Sequence, residues 1–135
     1  MIVFVDTSAF LSVLDRSDTR HKLAGATWLR LLNQKDTTLV CTSYVLLESI
    51  TLIQRRLGMT YVQTFQASIT PVLQVAWVDP ALHGMGMEMM LAANHRRLSL
   101  VDCVSFAIMR QRGVNHYFAF DEHFAEQGFA GVASP

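Results

Sequence analysis

Four carboxylates stand out by their positions in the chain: Asp6, Glu48, Asp102 and Asp121. Asp6 closes the apolar run at residues 2–5 and is followed at once by Thr7 and Ser8. That run suits the middle of a buried sheet, so its abrupt polar end asks for an explanation. Asp121 closes a second such run, "HYFAF". Glu48 sits in a helical pattern that is apolar nearly all round, so substantial burial is expected, with Arg55 or a metal ion to offset its charge. Asp102 follows Ser99 by three residues. Each acid has an ordinary structural reading. Asp6 and Asp121 suit helix N-caps, Ser99 and Asp102 suit a capping box, and Glu122 suits the positive end of a helix. Taken together the four suggest more. Carboxylates gathered at one point repel unless protons or hard cations neutralise them. Oxygen-only ligands select Mg²⁺ or Mn²⁺ over Zn²⁺. Such a centre suits phosphodiester cleavage by activated water, with the hydroxyl of Thr7 or Ser8 supporting a carboxylate or a water on the metal.

The elements that must carry these acids follow from periodicity. Residues 2–5 and 38–41 read as strands, residues 72–78 as a third and residues 116–120 as a fourth, with the last residues as an edge strand. Helices are expected at residues 19–34, 44–57, 60–69, 80–94 and 99–112, with a short one after Asp121 and another starting near Ser8. Gly58 and Gly113 stop two of them, and Pro80 suits a first turn. On the second helix Leu46, Ile50, Ile53 and Leu57 mark the apolar face. On the fourth, Leu82, Met85, Met89 and Ala92 do so. On the first, Leu23, Ala26 and Leu29 drift round with Trp28, Leu31 and Leu32 adding bulk. Strand–helix alternation implies an α/β fold. Its centre is a mostly parallel sheet of four to five strands, flanked by helices on both faces, in a single domain over residues 1–135. Such sheets bind ligands beyond the C-terminal ends of their strands, where Asp6 and Asp121 fall.

Composition narrows the classes. Hydrophobic residues make up 51% and charged ones 16%, which supports a real core and opposes disorder. Eleven basic and eleven acidic side chains cancel to a formal charge of +0, so any nucleic-acid contact must use local cations or metal ions. No apolar run approaches the ~20 residues that span a bilayer. The N-terminus lacks signal-peptide features, and a cytoplasmic protein whose fold starts near residue 2 is expected. The two cysteines, Cys41 and Cys103, read as buried and reduced. The histidines, His21, His83, His95, His116 and His123, show no metal-ligand spacing; His123 is close enough to Asp121 to touch the site, but a surface histidine on a short helix is the expected reading. No G-x-S-x-G elbow supports a serine triad.

Arg55–Arg56 and Arg96–Arg97 are the local basic pairs. Cations near helix C-termini oppose the macrodipole and stay solvated. Arg96 and Arg97 precede the Asp102 segment and are the candidates for phosphate contact. Met87 and Met90, with Tyr61 and Phe65, point away from the expected core faces and suit an apolar surface for a second subunit or a partner helix.

Four segments in this order, "VDTSAF", "TSYVLLES", "RLSLVDCVSF" and "HYFAFDEHF", resemble the PIN-domain family, and specifically its VapC-type toxin ribonucleases. The resemblance implies a Mg²⁺- or Mn²⁺-dependent endoribonuclease leaving 5′-phosphate and 3′-hydroxyl ends. It assigns Asp6, Glu48, Asp102 and Asp121 to the acidic quartet that holds the metal, and Thr7 or Ser8 to the supporting hydroxyl. It further implies an RNA substrate, a homodimer and a small antitoxin protein encoded alongside. Two positions depart from the family pattern. Phe120 stands where a small or hydroxylated residue is common, and Cys103 where Ala is frequent. The competing readings are a PIN-like RNA- or protein-binding module without catalysis, and a metal-dependent DNA nuclease or phosphatase on the same acids.

Overall fold

The computed structural model describes residues 1–133. Five strands form one parallel sheet: β1 (Ile2–Val5), β2 (Thr38–Thr42), β3 (Leu73–Ala76), β4 (His116–Phe118) and β5 (Ala130–Gly131). Their spatial order is β3-β2-β1-β4-β5. The chain winds outward from β1 through β2 to β3, then returns to the other side of β1. The strand order therefore reverses between β1 and β4, the place where an open parallel sheet leaves a crevice at its C-terminal edge. β1 is central because it can be buried on both faces: Val3, Phe4 and Val5 are fully covered, and only Ile2 at the far end is exposed. In register, Phe4 lies between Val40 of β2 and Tyr117 of β4. The ladder runs one step beyond β1, where the Asp6 N–H donates to the Phe118 carbonyl at 3.0 Å.

Helices α1 (Thr7–Leu14), α2 (His21–Asn33), α3 (Ser43–Arg56), α4 (Met59–Thr64), α5 (Pro80–Ala93), α6 (Leu100–Arg112) and α7 (His123–Glu126) surround the sheet. Phe124 of α7 packs with Phe4, Tyr117 and Phe106 at ring separations of 6.0, 5.0 and 5.0 Å, while Phe10 of α1 meets Trp28 and Phe65 at 6.2 and 5.2 Å. α5 lies so close to α6 that a Cβ on Gly86 would stand 2.4 Å from Val104 Cγ2. Gly58, at φ 96°, ends α3 in a conformation that costs other residues strain. Among the described residues no helix is long and apolar enough to cross a membrane.

Most expected elements form within a few residues of their expected ends. The differences are local. The expected helix at 60–69 is regular only to Thr64, then widens into a π-helical turn at Phe65–Ile69 and tightens into a 3₁₀ turn at Thr70–Val72 around Pro71. Phe65, at the start of the π-helical turn, is fully buried and is no part of an apolar surface. On α2 the buried face is Ala24, Thr27, Trp28 and Leu31, whereas Ala26 and Leu29 face solvent. On α5 the covered positions are Leu82 and Gly86. Met85 and Ala92 are exposed, while Met87, Met89 and Met90 are half-buried. The close approach at Gly86 rotates the helix so that its small residue, not its long ones, faces α6.

Candidate active site

β1 delivers Asp6 to the C-terminal edge of the sheet, where it also caps α1. Its Oδ2 accepts from the Ser8 N–H at 3.3 Å and from the Ser8 hydroxyl at 3.0 Å. The Ser8 hydroxyl oxygen in turn accepts the Phe120 N–H at 2.9 Å. One serine thus ties the end of β1 to the segment that follows β4. Of the two candidate hydroxyls Ser8 is the one that reaches the carboxylate. Thr7 is buried against α3, donating to the Val45 carbonyl at 3.4 Å and accepting from the Ser49 hydroxyl at 3.1 Å.

Asp102 lies in the first turn of α6, and the capping box forms with Ser99. The Asp102 N–H donates to Ser99 Oγ at 3.1 Å, and the Ser99 N–H to Asp102 Oδ2 at 3.3 Å. The structural role and a role in the site coexist, because one carboxylate oxygen takes the cap and the other remains. Asp121 is half-buried, with Oδ1 accepting the His123 N–H at 2.8 Å.

The electrostatics show which acids share a neighbourhood. Burial pushes the Asp6 carboxyl up to about 7, the charges of Asp102 and then Asp121 add to the rise, and the Ser8 hydrogen bonds pull it back. Asp102 is raised too, by burial first and then by Asp121, with the Ser99 bonds and His123 opposing. Asp6, Asp102 and Asp121 therefore repel one another, and no guanidinium or ammonium neutralises them: the one ion pair among the described residues is His123–Glu126 at 3.5 Å. Among these residues no three His, Cys, Asp or Glu side chains form a ready-made coordination shell. The donor chemistry nevertheless fits a hard divalent cation. Each carboxylate keeps one oxygen that accepts no hydrogen bond among the described residues, and the crowded charges call for a cation.

Glu48 stands apart. It lies on α3 beside Ser49, whose hydroxyl bonds Thr7, so its helix is fastened to α1 next to the end of β1. Its charge is not among those that shift Asp6 or Asp102. The expected burial and the pairing with Arg55 do not form. Glu48 is half-buried, Arg55 is exposed, and neighbouring Leu47 is 66% exposed, because this flank of α3 faces solvent rather than the sheet.

Arg96 and Arg97 are exposed beyond the end of α5, past Asn94 in its left-handed conformation, so they do not cap the helix. Together with Arg20 they line an open cleft of about 840 Å³ that also takes in Asp121 and His123. Sequence reasoning missed Arg20. It lies in an irregular stretch before α2 with no periodicity to mark it, and the fold alone brings it to the cleft. His123 is half-buried, its backbone N–H donates to Asp121 Oδ1, and it lines the same cleft. Both cysteines are buried thiols, Cys41 pushed up to about 12 by burial and Cys103 raised by burial and by Asp102.

A parallel sheet thus gathers carboxylates at its strand-order reversal, with basic side chains along the next cleft. The chain belongs to the PIN domain family, which its sequence matches over residues 3–130. It is 32% identical over 132 residues to the 23S rRNA-specific endonuclease VapC20 of Mycobacterium tuberculosis, covering 97% of this chain and 98% of that protein. The crystal structure of M. tuberculosis VapC20, described as a sarcin-ricin loop cleaving toxin, aligns with a TM-score of 0.84 at 31% identity over 96% of this chain and 97% of that one. FitAcB from Neisseria gonorrhoeae shares the fold, with a TM-score of 0.66 at 17% identity over 97% of this chain and 96% of that one.

Proposed function

We propose that this chain is a divalent-metal-dependent endoribonuclease, the toxin of a toxin–antitoxin pair, acting in the cytoplasm. The observation that carries this is the group of three mutually repelling carboxylates, Asp6, Asp102 and Asp121, at the reversal of strand order with no guanidinium or ammonium to neutralise them. The near-full-length likeness to a protein named as an rRNA endonuclease supports the same reading.

Asp6, Asp102 and Asp121, with Glu48 from α3, would hold Mg²⁺ or Mn²⁺. When bound, such an ion supplies a Lewis acid for a phosphoryl oxygen and a means of forming a nucleophile from water at neutral pH. The chain's own groups do the rest. Ser8 fixes the rotamer of Asp6 through its hydroxyl, leaving Oδ1 directed away from that bond. The Ser99 backbone N–H fixes Asp102 by donating to its Oδ2. Arg96 and Arg97 hold the RNA backbone by charge, independent of sequence. Burial of Asp6 and Asp102 keeps bulk water from screening the carboxylates, which strengthens their hold on a cation.

The proposed partners are a structured RNA, with ribosomal RNA the first class to try, a second copy of the chain, and an antitoxin protein. Exposed Trp77, Met85 and Leu91 offer apolar surface for such contacts. The test is cleavage of a ribosomal RNA pool by purified protein in Mg²⁺ or Mn²⁺, against excess EDTA and against Asp6→Asn. Cutting that needs the metal and Asp6 supports the reading. Folded protein that binds RNA without cutting it would favour a binding module instead.

A further inference from the structure

Phe120 forms one wall of the cleft, beside Asp121. We propose that Phe120 and Arg20 together form a stacking platform for one unpaired nucleobase of the RNA, next to the phosphodiester to be cut; this rests on the endoribonuclease reading.

Three observations converge. First, the Arg20 guanidinium lies over the Phe120 ring, 5.4 Å from its centroid, so a planar cation and an aromatic face already form a layered surface. Unstacked bases are recognised on such aromatic and guanidinium planes. The ring is half-buried, its position set by an edge-on contact with Phe118 at 5.8 Å.

Second, the platform is fastened to the site. The Phe120 N–H donates to Ser8 Oγ at 2.9 Å, and the Ser8 hydroxyl donates to Asp6 Oδ2 at 3.0 Å. A single serine therefore sets the distance between the stacked base and the carboxylate at the end of β1. Asp121 follows Phe120 directly in the chain.

Third, the rest of the cleft suits a nucleotide. Its volume of about 840 Å³ lies in the range of small-molecule sites. His95 and His123, edge to face at 6.2 Å, supply further planar surface. Arg96 and Arg97 supply charge for flanking phosphates. None of the three guanidiniums pairs with a carboxylate among the described residues, although Asp121, Glu122 and Glu126 line the same cleft.

The reading predicts a demand for an unpaired nucleotide beside the cut, read by stacking more than by hydrogen bonds. The experiment uses RNA hairpins whose cleavage position has been mapped with wild-type protein. 2-Aminopurine is then scanned through the unpaired positions and bound to the Asp6→Asn protein. The expected result is quenching at one position adjacent to the scissile bond. That quenching should be lost when Phe120→Leu is added, with binding weakened about tenfold. In the cleaving protein, Phe120→Leu should raise KM about tenfold with kcat nearly kept, and Phe120→Trp should restore KM. Arg20→Gln, an exposed change that spares the core, should weaken binding in the same direction. Wild-type KM in Phe120→Leu and Arg20→Gln, or quenching at no position, would overturn the platform and leave the nuclease standing. Absence of RNA cutting by wild type would overturn both.

Discussion

Asp6 and Asp102 are 4% and 9% exposed, whereas Arg20, Arg96 and Arg97, lining the neighbouring cleft, are all exposed. The acids are set by backbone. One ends the central strand and caps a helix, and the other closes a capping box. The cations come from irregular segments and rest on long side chains without carboxylate partners. On the proposed function the contrast separates two tasks. Groups that must present charge to a small ion are held rigidly in a poorly solvated place, where electrostatic interactions are strong. Arg96 and Arg97 would follow a flexible polyanion through charge alone, whereas Arg20 also lies over the Phe120 ring.

If that division holds, substitutions on the two sides should differ in kind as well as size. Asp6→Asn and Asp102→Asn should each lower kcat about a thousandfold or more while RNA binding stays near wild type, measured by single-turnover cleavage and by filter binding. A large rise in KM with little change in kcat would blur the distinction.

The next effect is on stability in metal-free protein. The Asp6 carboxyl rises from 3.8 to about 7 on folding, so between those values the folded chain holds a proton that the unfolded chain has lost. Unfolding in that window releases a proton, and stability must fall as pH rises from about 4 to about 7, then level off. Thermal melts in EDTA should show this slope in wild type and a shallower one in Asp6→Asn, which at pH 8 should be the more stable of the two. Parallel curves would remove Asp6 from the set of strained charges.

Ser8→Ala should come next, with kcat down about tenfold through loss of the bond that orients Asp6. Arg96→Ala and Arg97→Ala should be smallest. Each should weaken RNA binding a few-fold and lower the slope of log Kd against log salt by about 0.7, with kcat unchanged at saturation. A change in kcat at saturating RNA would mean that an arginine touches the reacting phosphate.

The two sides also differ in how far they could be read from sequence. Asp6 and Asp102 were legible because local rules mark them. An apolar run ending in an acid signals a strand terminus, and Ser99 three residues before Asp102 signals a cap. The strand order was not legible, since the alternation of elements implies a parallel sheet but not which strands are neighbours. Arg20 was not legible, because nothing local distinguishes a cleft arginine from a solvated one. Glu48 misled for a related reason. An apolar helix suggests burial on every side, but Leu47 is left exposed on its flank, and only the packing of α3 against α1 and α6 decides which side is covered. Phe65 and Met85 exchanged their expected places, Phe65 at the start of a π-helical turn and Met85 next to the Gly86 contact, local departures that a uniform period cannot anticipate.

The most direct test of the acidic site is Mn²⁺ binding to the isolated protein, followed by calorimetry or by loss of the free-ion paramagnetic resonance signal, in wild type, Asp6→Asn and Asp121→Asn. The account predicts binding by wild type that weakens at least tenfold in each variant, since each removes a ligand and part of the charge that draws the ion. Equal binding by all three proteins would contradict it and place the metal, and with it the chemistry, elsewhere.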